Sequence, residues 1–144
     1  MTVNLTRFAL WYFGISLGMV LIFIGIEYAT GIDAQNAGTS LIPAMLAAMV
    51  EGQKHAIATR DPIPKPWKQG AILAGASVGI SAVLAVPLLF ITPGIVDALM
   101  SYLGFVLAGL VFVYFILWLV CRFFLTFGAK NQWKAMDQKA AKSK

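Results

Sequence analysis

The sequence predicts an all-α integral membrane protein, a four-helix bundle with both termini on the cytoplasmic side. Three observations lead there. Hydrophobic residues make up 60% of the 144 and charged residues only 12%, with a mean hydropathy of +0.81. A soluble domain carries about 25% charged residues, so a chain this apolar cannot cover itself with polar surface and needs lipid as its solvent. Second, long apolar stretches recur along the whole chain. Third, all 11 Lys and Arg residues fall into three segments that those stretches separate. Arg7 precedes the first stretch, Lys54, Arg60, Lys65 and Lys68 lie between the second and third, and Arg122, Lys130, Lys134, Lys139, Lys142 and Lys144 follow the fourth. The connections at residues 27–40 and 92–100 hold only the acids Glu27, Asp33 and Asp97. Basic residues near spans stay on the cytoplasmic side, which gives an in–out–in–out–in path through one transmembrane domain.

Span one, residues 8–28, suits a hydrocarbon core about 30 Å thick. Trp11, Tyr12 and Phe13 at its inner end and Tyr28 at its outer end fit the two headgroup boundaries. The apolar run from Phe8 to Ile26 exceeds the roughly 7–15 residues of a signal-peptide core, and Thr30-Gly31 is a poor cleavage site. Span two, residues 39–59, opens with a cap at Thr39 or Ser40 and Pro43 in the first turn. Its apolar run, Ala37 to Val50, is short enough to be re-entrant, but re-entry would place a basic cluster outside, which favours crossing. Asp61-Pro62-Ile63-Pro64-Lys65-Pro66 cannot be helical and forms an extended linker. Span three, residues 70–91, starts behind the interfacial Trp67 and Lys68 and carries Pro87 as a kink near its outer end. Thr92-Pro93-Gly94 turns the chain or starts a short surface helix through Met100. Span four, residues 101–121, is the most apolar. The basic tail, residues 128–144, either rests Trp133 and Met136 on the bilayer or is solvated and frayed.

Every span carries small residues four apart: Gly14 and Gly18, Ala44, Ala48 and Gly52, Gly75 and Gly79, Gly104 and Ala108. Helices in lipid associate by close backbone approach, which such rows allow. They serve internal packing of the bundle or, at Gly75/Gly79 or Gly14/Gly18, contact with a second subunit or another protein.

Candidate chemistry is sparse. Glu51 and His55 lie four apart and share a helix face, with Cys121 and Arg122 expected at a similar depth. Glu51, His55 and Cys121 are all zinc-ligand types, but a closed structural site normally has four ligands. The simpler expectation pairs Glu51 at the membrane edge with Lys54, His55 or Arg122. No Asp, Glu, Lys, Arg or His falls in the middle of a span, which counts against ion-coupled transport and against the first-span glutamate of small multidrug exporters. A lone cysteine excludes an internal disulfide or a dithiol redox pair, and one histidine excludes paired haem ligands. The Ser and Thr hydroxyls of the spans are expected to bond back to their own helices.

The stretch Ala44-Met45-Leu46-Ala47-Ala48-Met49-Val50-Glu51-Gly52-Gln53-Lys54-His55, continuing to Arg60-Asp61-Pro62, resembles a segment of small uncharacterised bacterial membrane proteins with about four spans. The resemblance covers roughly twenty residues and implies the same layout and an inner-membrane location. It implies no activity and no cofactor. It directs attention to Glu51, His55 and Arg60, together with Gly52 and Pro62, as a cytoplasmic collar that ends a helix or meets a partner.

The expected function is therefore non-catalytic: an accessory or structural subunit of a larger membrane complex, or a self-associating bundle. The alternative is a small-solute transporter or channel acting as an oligomer. The net charge of +5 fits anionic lipid at the cytoplasmic face rather than nucleic acid, since each basic residue near such a leaflet contributes about 1 kcal/mol of attraction.

Overall fold

The computed structural model describes residues 3–31, 41–92 and 94–142, with the backbone alone at 88–90. Five helices and no strand occur among them: α1 (Leu5–Thr30), α2 (Ile42–Thr59), α3 (Pro66–Ile91), α4 (Ile95–Ser101) and α5 (Leu103–Lys142).

Local chemistry sets the ends. The Asn4 side chain caps α1 by accepting from the Arg7 amide, and Gly31 closes it in the left-handed region with its N–H on the Glu27 carbonyl. Leu41 holds the N-cap position of α2 without a side-chain bond, so the helix opens on Pro43 rather than on a hydroxyl cap. Thr39 and Ser40 lie outside the described residues. Arg60 ends α2 at φ 52°, a left-handed conformation that side chains rarely adopt, and the proline linker then carries the chain to α3. Helix α3 continues through Pro87. Gly94, also left-handed, precedes the short α4, the surface helix that was one of the two readings of that loop. The basic tail is not frayed through Lys142: α5 runs unbroken for 40 residues, about 60 Å at 1.5 Å per residue.

Four spans are expected, and three of the described helices are long and apolar enough to cross a membrane: α1, α3 from Pro66 to Pro87, and α5. The difference lies in α2. It has 18 residues, and Glu51, Gln53, Lys54 and His55 dilute its second half.

That polar helix is the packing centre. Its buried residues are Pro43, Ala44, Ala47, Ala48, Glu51, Gly52, His55 and Ala56. The core joins Ala44, Ala47 and Ala48 to Phe8 and Tyr12 of α1, Leu73 and Ala74 of α3, and Leu117, Cys121 and Leu125 of α5. The most extensive interface is α2 against α5, and glycines set its spacing. A Cβ on Gly52 would fall on the Leu125 carbonyl, and one on Gly128 would fall on the Met49 carbonyl. Gly70 plays the same part where α3 crosses α5, with Arg122 Cβ 2.8 Å from the position its own Cβ would take.

Packing is confined to one end. No described residue of α1 beyond Tyr12 is buried, and in α5 burial begins at Leu117. Contacts of Val3 with Gln69 and of Tyr12 with Ser81 make α1 and α3 run parallel. The start of α1, the second half of α2, the start of α3 and residues 122–129 of α5 therefore meet, which brings basic residues from each of the three segments to the packed end.

Candidate functional site

Glu51 lies at the centre of the packed end, its side chain 3% exposed. It projects from the inner face of α2, one turn after Ala47 and beside Gly52, and the small neighbours leave room for α1 to approach. Arg7 donates to it from two nitrogens, Nε to Oε2 at 2.7 Å and Nη2 to Oε1 at 2.6 Å. The Asn4 amide adds a third bond to Oε1 at 2.9 Å. A planar guanidinium matches a carboxylate in this two-pronged way, which makes the pair stronger and more directional than a point-charge contact. Asn4 thus serves twice: its side chain starts α1 and its backbone ties that start to α2.

The partner of Glu51 differs from the three expected ones. Lys54 is exposed. His55 is 9% exposed and faces Thr59, whose Oγ1 lies 3.4 Å from Nε2. Arg122 lies over the ring of Trp67, its guanidinium carbon 3.2 Å from the ring centroid. Of the candidate collar, Glu51, Gly52 and His55 are turned inward, and Arg60 and Pro62 are exposed. Cys121 is fully buried with the Ser77 hydroxyl beside it. Among the described residues, no group of three or more His, Cys, Asp and Glu is placed to hold a metal ion.

Around this centre the polar groups are used structurally. Ser77 donates to the Leu73 carbonyl and Thr126 to that of Arg122, the back-bonding expected of hydroxyls in such helices. Ser81 departs from that pattern and meets Tyr12 Oη at 2.8 Å across the α1–α3 interface. Trp118 Nε1 donates to the Trp67 carbonyl at 2.9 Å, and the two indoles lie 5.2 Å apart. Beside the ion pair, an open groove of about 510 Å³ runs along α1, lined by Arg7, Leu10, Trp11, Gly14 and Ile15. These are positions of one helix face, apolar except for Arg7.

The glycine rows divide into two sets. Gly52, Gly70 and Gly128 sit against backbone or Cβ atoms of another helix. A Cβ on Gly14, Gly18, Gly75, Gly79 or Gly104 would meet nothing within 4 Å, and Ala108 is exposed. The small face of α2, Ala44, Ala48 and Gly52, packs internally, whereas the glycines of the rows on α1, α3 and α5 leave open space among the described residues. Sequence reasoning passed over Gly128, which follows Phe127 and reads as a span terminus, and passed over Arg7 as a partner. The available signal for Arg7 was its isolation as the one basic residue before the first apolar stretch.

No family model, curated protein or solved structure matches this chain.

Proposed function

We propose that this chain is a non-catalytic accessory or structural subunit of a bacterial inner membrane, with both termini cytoplasmic. In this reading the packed end holds the spans together, and the open glycine rows take a neighbouring helix from a larger membrane complex or from a second copy. The observation that carries it is the open space beside Gly14, Gly18, Gly75, Gly79 and Gly104. Helices in lipid associate where small residues let backbones approach, and these rows have no partner helix among the described residues. The buried polar groups also favour it. Glu51 is engaged by Arg7 and Asn4, so this buried carboxylate has a packing role.

The test is extraction in mild detergent followed by crosslinking and size measurement. Wild type is expected to run as an oligomer or with a membrane partner. The pairs Gly75→Leu/Gly79→Leu or Gly14→Leu/Gly18→Leu are expected to release it while leaving the thermal unfolding of the chain itself unchanged. A wild-type protein that is strictly monomeric and partner-free would sink the proposal.

A further inference from the structure

Arg122 is placed unlike any other cation of the chain. Its stem is held against Gly70 at the α3–α5 crossing. Its guanidinium carbon lies 3.2 Å over the Trp67 ring, which Trp118 fixes through the 2.9 Å bond to the Trp67 carbonyl. Its Nε is buried and has no hydrogen-bond partner. Among the described residues the one ion pair is Arg7–Glu51, so none of the described carboxylates answers this charge. An arginine cannot discard its proton, and it carries five donors in a rigid fork. Stacking on an indole satisfies the face of the guanidinium and leaves the donors at its edge for a ligand. The surroundings are basic and aromatic: Lys65 and Lys68 flank Trp67 in sequence, and the first turn of α3 holds no acid. Tryptophans mark the headgroup level of a membrane.

We propose that Arg122, stacked on Trp67, binds the phosphate of an anionic phospholipid where the start of α3 crosses the middle of α5. The chemistry is a two-pronged guanidinium–phosphodiester contact. An anionic headgroup is favoured over a zwitterionic one because a choline group would bring positive charge toward Lys65 and Lys68. The site is independent of the open glycine faces and stands or falls separately from subunit association.

Native mass spectrometry of the detergent-solubilised protein tests it, with phosphatidylglycerol, phosphatidylcholine and inorganic phosphate offered in parallel. Wild type is expected to retain phosphatidylglycerol in preference to phosphatidylcholine. Arg122→Gln is expected to weaken retention about tenfold or more, the scale of one lost charge-assisted contact. Arg122→Lys, which keeps the charge but loses the planar stack, should fall between, and it serves as the readout where the Gln variant does not fold. Lys142→Gln in the tail should bind as wild type does. Equal retention of the two lipids, or Arg122 variants that bind as wild type, overturns the proposal. Inorganic phosphate that displaces the lipid at equal concentration would mark a free-anion site and overturn the lipid assignment.

Discussion

Glu51 and Arg7 differ in how much water each can reach, and that asymmetry controls what mutation does. The Glu51 side chain is 3% exposed and that of Arg7 37%. Removing Arg7 strands a carboxylate in the core, whereas removing the carboxylate leaves an arginine whose long stem can carry its charge outward. Breaking a buried pair by deleting one partner costs about 3–5 kcal/mol when the survivor stays buried. Arg7→Met is therefore expected to lower stability by about 3 kcal/mol. Glu51→Gln should cost about 1–2 kcal/mol, because its amide oxygen still accepts a hydrogen bond. Thermal unfolding of both variants in one detergent checks the order, and a larger loss for Glu51→Gln would refute it. Residue types were legible here: an acid on a helix face with small neighbours at a membrane edge had to be paired. The partner was not, because Arg7 and Glu51 are 44 positions apart and only the docking of α1 on α2 brings them together.

At the scale of elements, glycine has two uses that sequence spacing does not distinguish. Gly14/Gly18 and Gly75/Gly79 have the motif spacing, yet their surfaces are open. Gly128 belongs to no such pair and touches backbone. Gly52→Ala and Gly128→Ala each drive a methyl group into a carbonyl, and overpacking of this kind costs about 1–3 kcal/mol. Both should lower the unfolding midpoint clearly, with loss of helical circular dichroism as the readout. Gly14→Ala and Gly79→Ala should leave it within about 0.5 kcal/mol of wild type, as substitutions clear of any packed feature do. Equal effects across the four would mean that the α2–α5 contact is looser than its geometry. Helix α5 teaches a related point. Its spanning part was plain from apolarity, but its continuation through the basic tail depends on helix-forming residues that also dock on α2.

For the whole molecule, basic residues from three distant segments meet at one end among the described residues, and that arrangement fits a single side of the membrane. Cysteine labelling in sealed inverted vesicles provides the test of sidedness. With Cys121 replaced by Ala, a cysteine at Lys142 is expected to react with a membrane-impermeant reagent from the cytoplasmic side, and one at Asp97 only from the opposite side. Labelling of both from the same side would overturn the topology. The uneven packing belongs to this scale as well. The packed end has an apolar core around a buried ion pair and close glycine contacts, while the other end presents three apolar helices without mutual burial among the described residues, a division that suits a protein stabilised by lipid or by a neighbour.

By itself the sequence determined that the chain is helical and apolar enough for a membrane, where its basic segments lie and where its proline linker breaks the path. These follow from composition and local pattern, because lipid forces every backbone group to be satisfied within its own helix. Tertiary structure decided what α2 does, which glycines are contacts, who pairs with Glu51 and where Arg122 rests. Each of these depends on which helix faces which, at what angle and depth. That is set by the fit of distant surfaces, and no window of neighbouring residues contains it.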